Sequence, residues 1–184
     1  MKRLLLLIIS ALMFSCENSN ENTDSDKKKT KMEFNKDDYE RDIIAIKSLI
    51  DSISSVDNDY NVVGRKLIDD IIEFANNYPY GENVVDFLFT AAKTANGIGE
   101  YRESVKILDK IINKYPGYPN IKEVLFLKAF TYDENLNNKE KAKDAYLKII
   151  QEFPKDPLAS ESKILLENLY LSDKELIEKY KANN

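Results

Sequence analysis

The sequence predicts an all-α domain of about eight helices, arranged in pairs as an α-solenoid. From Lys36 onward, apolar residues recur at intervals of three and four, which is the period of an α-helix. Convincing strand-type alternation is missing from this part of the sequence. The 184 residues also include only five Gly and five Pro, fewer turn residues than sandwiches and barrels need.

Three aromatic–proline pairs divide the chain at regular intervals. Proline cannot continue a helix, and it pushes the preceding residue out of the α region. Each pair therefore predicts the end of a helix. The prolines are 37 and 38 residues apart, and a fixed interval of this size indicates a repeat. The pairs are Tyr78-Pro79, Tyr115-Pro116 and Phe153-Pro154.

The unit from Val85 to Tyr118 combines a small-residue pattern with a glycine turn. Its apolar and small positions are Leu88, Ala91, Ala92, Ala95, Ser104, Leu108 and Ile111, its turn is Gly99-Glu100-Tyr101, and Pro116 closes it. This pattern resembles the tetratricopeptide repeat. The resemblance implies that Ala92 and Ser104 are small because the two helices of the pair approach closely there.

A second unit follows in the same register, with one extra residue in its turn. It matches at Leu125, Ala129, Tyr132, Ala142, Tyr146, Ile149 and Pro154. The extra residue lies between Asp133 and Asn138, where the glycine is missing and Asn137-Asn138 replaces it. Both units are three residues longer at the front than the 34-residue repeat. With the aromatic–proline endings, this resembles a subgroup in bacterial envelope lipoproteins, which includes the β-barrel assembly lipoprotein and the Tol-Pal coordinator.

Less regular helices are predicted on both sides of these units. Segments 36–56 and 60–77 form a degenerate leading pair. A helix over 158–171 starts with Asp156 as N-cap and Pro157 at the first position. This helix has the apolar residues Leu166, Leu169 and Tyr170 at core positions of the repeat, but Lys163 and Glu167 at other positions where core residues are expected. Polar residues at such positions are typical of an end repeat that caps the core. The last helix starts at Ser172-Asp173-Lys174-Glu175, which has the form of a capping box.

The N-terminus has the pattern of a lipoprotein signal. Lys2 and Arg3 precede an apolar run from Leu4 to Phe14, whose 11 residues are too few to span a bilayer. The single Cys of the chain, Cys16, follows directly after Ser15, and Met13-Phe14-Ser15-Cys16 resembles the lipobox of bacterial lipoproteins. The resemblance implies cleavage before Cys16 and lipidation of its sulfur. A plain secretory signal with an incidental Cys, or a buried N-terminal helix, are the alternatives.

Three regions are therefore predicted along the chain. Residues 1–15 are the signal peptide, 16–35 the lipidated Cys and a disordered linker, and 36–184 the solenoid domain. The linker is polar apart from Met32 and Phe34, so it cannot bury enough apolar surface to offset the entropy of ordering.

Composition excludes several classes of function. Without any His, the chain can form no imidazole-based triad or His-ligated zinc site, and one Cys cannot make a Cys₄ site. The net charge of −5 argues against nucleic-acid binding. Acid pairs such as Asp69-Asp70 and Asp37-Asp38 are interpreted as solvated faces, and Gly97-Ile98-Gly99 as a repeat turn. We therefore expect no enzyme activity, cofactor or metal.

A binding groove is expected on the concave face, which the first helix of each pair lines in this family. The resemblance assigns to it Asp86, Phe89, Lys93 and Asn96 in the first unit and Glu123, Phe126, Phe130 and Asp133 in the second. Three Phe residues would form an apolar strip with acidic edges, suited to a peptide or an amphipathic helix. The alternative is that these Phe side chains belong to the core.

The sequence thus predicts a lipid-anchored, non-catalytic scaffold in the bacterial cell envelope. We expect it on the outer membrane facing the periplasm, with envelope proteins or peptides bound to the concave face and the membrane contacted through the lipid. An accessory enzyme of the envelope and a surface-displayed structural lipoprotein are the alternatives.

Overall fold

A computed structural model describes residues 34–53 and 60–182, except for the side chains of residues 173 and 180. These residues form eight α-helices and one π-helix and contain no strand, which confirms the all-α solenoid class. The predicted signal peptide, Cys16 and linker lie outside the described residues, apart from positions 34 and 35. The helices are α1 Lys36–Ile53, α2 Tyr60–Asn77, α3 Val84–Gly97, α4 Tyr101–Lys114, α5 Ile121–Phe130, the π-helix Thr131–Asn135, α6 Lys139–Glu152, α7 Pro157–Asn168 and α8 Asp173–Ala182.

From α1 to α7, each helix packs against the next one in the chain. Helices α5 and α7, the first helices of two neighbouring pairs, also contact each other. Contacts that stay between close neighbours in the chain are typical of a solenoid. The predicted leading pair is present as α1 and α2, with Val56 outside the described part of the chain.

Two apolar cores, one after the other, hold the array together. All the predicted core positions of both repeat units are buried. Not every apolar residue of the helices faces inward, since Ile44 in α1 is 68% exposed. The first core joins α1 to α5, and the second joins α4 to α7.

The π-helix accommodates the extra residue of the second unit. Ala92 and Ala129 are 37 residues apart, whereas Gly99 and Asn137 are 38 apart, so the insertion lies between Ala129 and Asn137. The π-helix occupies this stretch and widens one turn of the chain. Asn137 then has φ +47°, matching the left-handed conformation of Gly99 at φ +82°, so Asn replaces the turn glycine as expected.

The aromatic–proline pairs end helices and connect neighbouring repeats. Helices α2, α4 and α6 stop just before the three pairs. The hydroxyl of Tyr115 donates a 2.9 Å hydrogen bond to the carbonyl oxygen of Pro79, which belongs to the preceding pair. The hydroxyl of Tyr78 donates to Asp42 in α1 at 3.3 Å. These bonds fix the turn of one repeat against the previous one.

The C-terminal end starts as predicted but has a shorter α7. Asp156 caps this helix by accepting a 3.0 Å hydrogen bond from the Leu158 N–H. The helix ends at Asn168 instead of Leu171. Tyr170 therefore lies beyond the helix and is 61% exposed, instead of packing with the apolar residues Leu166 and Leu169. Lys163 and Glu167 are exposed, consistent with a capping helix.

The capping box before α8 is confirmed. The Ser172 N–H donates to Glu175 at 2.7 Å, and the Glu175 N–H donates to the Ser172 hydroxyl at 3.4 Å. Helix α8 buries none of its described side chains fully. The end of the chain therefore adds a polar helix instead of another core layer.

Candidate functional site

Seven of the eight predicted groove residues lie on α3 and α5, the first helices of the two repeat units. In a tetratricopeptide solenoid these helices line the concave surface, which we call the inner face. The eighth residue lies in the π-helix. The seven candidates on these two helices are Asp86, Phe89, Lys93, Asn96, Glu123, Phe126 and Phe130.

Phe89 lies on the edge of the first core. Its ring is half-buried and is 6.3 Å from the ring of Tyr118, in an edge-to-face arrangement. The ammonium group of Lys93, which is one turn further along α3, lies 5.0 Å from the centroid of the Phe89 ring. This cation–π contact places a positive charge at the C-terminal part of α3.

The two phenylalanines of α5 differ in exposure. Phe126 is half-buried against the second core, and its ring meets the buried ring of Tyr146 edge-on at 6.2 Å. Phe130 is 39% exposed, although it is one turn away on the same helix. Phe126 therefore belongs partly to the core, whereas Phe130 offers an apolar ring to solvent.

Asn96 connects the two repeat units through its side chain. Its Nδ2 atom donates a 2.7 Å hydrogen bond to the hydroxyl of Thr131, the first residue of the π-helix. That hydroxyl in turn donates to the carbonyl oxygen of Leu127 at 2.6 Å. Thr131 is fully buried, so the Asn96 amide has a structural partner that sequence inspection did not suggest.

Asp133 does not contribute to the inner face, contrary to the expectation for this position. It is 6% exposed, and its Oδ1 atom lies 2.6 Å from the ammonium nitrogen of Lys139. The Tyr146 hydroxyl donates to its other oxygen at 3.4 Å, and burial together with the charge of Asp133 raises the pKa of Tyr146. The π-helix shifts the register of this turn, so the carboxylate points into the protein and stabilises the start of α6.

Tyr118, in the loop before α5, connects the two repeat units through Asp86. The Tyr118 hydroxyl donates a 2.7 Å hydrogen bond to the Oδ1 atom of Asp86 and accepts one from Asn120 at 3.2 Å. Burial, the bond to Asp86 and the negative charge of Glu123 raise the pKa of Tyr118 to about 12. The Oε2 atom of Glu123 is shielded from solvent and has no hydrogen-bond partner among the described residues.

Sequence reasoning missed Tyr118 as a site residue. A signal was available, because Tyr118-Pro119 is a fourth aromatic–proline pair that departs from the regular spacing of the other three. Its ring touches Phe89, and its hydroxyl joins α3 to the start of the next unit.

The described residues contain no cluster of three or more acidic or Cys side chains able to hold a metal ion. In the same ranges, no helix is long and apolar enough to cross a membrane. One acid in each of the pairs Asp69-Asp70 and Asp37-Asp38 forms an ion pair on its own helix. A carboxylate oxygen of Asp70 lies 2.7 Å from the ammonium nitrogen of Lys66, and one of Asp38 lies 2.7 Å from a guanidinium nitrogen of Arg41.

Comparison with known proteins agrees with this architecture. Residues 86–118 and 123–156 match the family model named Tetratricopeptide repeat. A search of curated proteins finds no significant match to the chain. Both repeat units described above are therefore similar to the tetratricopeptide repeat. Such repeats typically bind proteins or peptides and generally act as non-catalytic scaffolds, and these two carry the inner face described above.

Proposed function

We propose that the protein is a membrane-tethered scaffold of the bacterial cell envelope that holds a partner protein on its inner face. The observation that carries this proposal is Phe130, a 39% exposed aromatic ring beside the half-buried Phe126. Exposed aromatic rings at the centre of a groove are typical anchors for a partner side chain. The matched repeats supply the kind of surface that this family uses for binding.

The tether is inferred from the sequence around Cys16. An 11-residue apolar run ends just before this Cys, which is the single one in the chain. A lipidated Cys carrying two or more acyl chains would hold the protein stably at a membrane without a spanning helix. This location makes envelope proteins the partners, with the outer membrane facing the periplasm as the proposed site.

A site-specific crosslinker tests whether the inner face binds a partner. A photoreactive amino acid is placed at position 130 in one strain and at position 80 in another. Tyr80 is 97% exposed and lies between α2 and α3, so it is a matched aromatic control away from the groove. We expect a discrete adduct from position 130 and none of the same size from position 80. Identical adducts from both positions, or none from position 130, would refute the groove.

Alanine variants separate binding from folding. Phe130→Ala should weaken capture of the crosslinked partner while the melting temperature stays within a few degrees of the parent. Phe126→Ala should also lower the free energy of unfolding, by about 1–3 kcal/mol, because it removes a half-buried ring that packs on the second core. If the Phe130→Ala protein binds the partner normally, the exposed Phe130 ring is not the anchor and the proposed binding site is wrong.

The lipid anchor has a separate test. We expect the Cys16→Ser protein to lose metabolic labelling with palmitate and to leave the detergent phase on partitioning. The Ser15→Ala protein serves as a control beside the same cleavage site and should label like the parent. Equal labelling of the Cys16→Ser protein would exclude lipidation at Cys16.

A further inference from the structure

We infer that the domain docks on the membrane surface through an aromatic cleft at its N-terminal end, with Phe34 and Tyr80 inserted among zwitterionic lipid headgroups. The cleft lies between the start of α1 and the turn that joins α2 to α3. None of its lining residues is among the groove candidates on α3 and α5. The inference rests on the tether of the proposed function and adds the part of the domain that meets the bilayer.

The walls of this cleft carry no charge. The cleft has a volume of about 390 Å³, and no charged side chain lines it. Charged residues make up 32% of the chain, so an uncharged surface of this size stands out. Most of the lining consists of aromatic rings and one proline, from Phe34, Tyr39, Tyr78, Pro79 and Tyr80.

Two of the rings in the cleft are open to solvent. Phe34 is 67% exposed and Tyr80 is 97% exposed. Single exposed apolar residues are ordinary, whereas a group of them in one place marks an interaction surface. The terminal repeat of a solenoid is normally polar on its outer side. Aromatic rings at this end therefore need a partner to account for them.

The cleft is held in shape by contacts with the core. The ring of Phe34 lies 5.7 Å from that of Tyr39 and 6.2 Å from that of Tyr78. Tyr39 in turn stacks on the buried ring of Phe74 at 5.5 Å, and its hydroxyl accepts a 3.1 Å hydrogen bond from the Glu82 N–H. Because the rings are already ordered, docking costs little additional entropy.

The position of the proposed anchor identifies the bilayer as the occupant. Phe34 is the first described residue, and Cys16 is 18 positions before it. A coil of this length has an average end-to-end distance of about 25 Å. The tether would therefore keep the aromatic end, more than any other part of the domain, near the membrane. At an effective concentration in the millimolar range, even weak insertion of two rings populates the docked state.

The chemistry of the cleft favours headgroups without net charge. Tyrosine has an apolar ring and a polar hydroxyl, which suits the boundary between headgroups and acyl chains. Around the cleft, residues 36–42 contain two bases and four acids, and Glu82 follows Gly81. This excess of acids would repel anionic lipid, so a zwitterionic surface is the better match.

A single tryptophan tests the docking in the full-length lipidated protein. The chain contains no Trp, so Tyr80→Trp introduces one fluorophore at the exposed ring. The protein is incorporated into phosphatidylcholine vesicles whose acyl chains carry bromine near the headgroup, because bromine quenches only a tryptophan that enters the bilayer. We expect brominated lipid to lower the emission by about twofold, as for a largely docked population. Tyr170→Trp is the matched control, since Tyr170 is a 61% exposed tyrosine after α7, and it should not be quenched.

A second pair of variants tests the role of the cleft. Phe34→Ala in the Tyr80→Trp protein should restore most of the emission, because one of the two inserted rings is lost. Ile44→Ala in the same background removes a similarly exposed apolar side chain, at 68%, from outside the cleft. It should leave the quenching unchanged. Equal effects of the two substitutions would overturn the assignment of docking to the cleft.

The failure of docking can be distinguished from the failure of the tether. Equal quenching at positions 80 and 170, or none at position 80 in protein that floats with the vesicles, would overturn the inference and leave the tether intact. Protein that neither floats with the vesicles nor labels with palmitate would reject both. A photoreactive amino acid at position 80 should attach to lipid, and attachment to a protein would also overturn the inference. The adduct from position 130 tests the inner face independently.

Discussion

The hydroxyl of Ser104 in α4 donates a 2.8 Å hydrogen bond to the main-chain carbonyl oxygen of Ala92 in α3. Neither residue has any exposed surface. A side chain of one helix can reach the backbone of the other only where the two helices are very close. The small residues at this crossing therefore set the distance between the helices of the first repeat.

Enlarging Ala92 should destabilise the domain. We expect Ala92→Leu to lower the free energy of unfolding by about 1–3 kcal/mol, because the added atoms must force α3 and α4 apart. Ala45→Leu makes the same change at an exposed position of α1 and should have little effect. Urea denaturation of both proteins measures the difference. Similar stabilities would mean that this crossing can expand without strain.

The turn glycine of the first repeat should be needed for its backbone conformation alone. Gly99 has φ +82°, and a Cβ built there meets no atom within 4 Å, so the cost of Gly99→Ala is backbone strain of about 1 kcal/mol. Gly117 is equally open but lacks a positive φ. Gly117→Ala should therefore be neutral or stabilising by up to about 1 kcal/mol, because it restricts the unfolded chain. Thermal melting that ranks the two variants in the opposite order would contradict this.

The Asn96–Thr131 hydrogen bond should couple the two repeats energetically. Thr131→Val keeps the shape but removes the hydroxyl, so the Asn96 amide loses its partner, at a cost of about 1–3 kcal/mol. In a double-mutant cycle with Asn96→Ala, the two effects should not add, with a coupling energy of at least about 0.5 kcal/mol. Strict additivity in chemical denaturation would show that the bond contributes nothing to stability.

The ion pair between Lys122 and Asp156 should stabilise the protein in a pH-dependent way. The hydrogen bond from Lys122 and the Leu158 N–H lower the pKa of Asp156 in the folded state. Stability from this carboxylate is therefore present above its unfolded pKa of about 3.9 and is lost as the pH falls through the lowered folded value.

Asp156→Asn tests this pair while keeping a side-chain oxygen for the helix cap. The variant should be less stable than the parent at pH 7, and the gap should narrow when urea denaturation is repeated near pH 3. A gap of the same size at both pH values would assign the effect to the cap and not to the charge.

Local signals in the sequence predicted most of the helices. The period of apolar residues places α3 and α4, and Asp156-Pro157 and Ser172 mark the starts of α7 and α8. These signals act within one or two turns of the chain, so they can be interpreted without knowing what packs nearby. The resemblance to the tetratricopeptide repeat also predicted the close crossing at Ala92 and Ser104, because a position in that repeat specifies which residue of the other helix it faces.

The sequence by itself thus determined most of the helices, the order of the repeats and a set of groove candidates. The tertiary structure decided which of those side chains are available for contact with a partner. Asp133 is turned inward by the π-helix, Asn96 is bonded to Thr131, and Phe130 remains exposed. It also revealed the hydrogen bond from the Tyr118 hydroxyl to Asp86, which connects the two repeats. Availability depends on contacts between residues about 30 to 40 positions apart, and no local pattern encodes the geometry of such contacts.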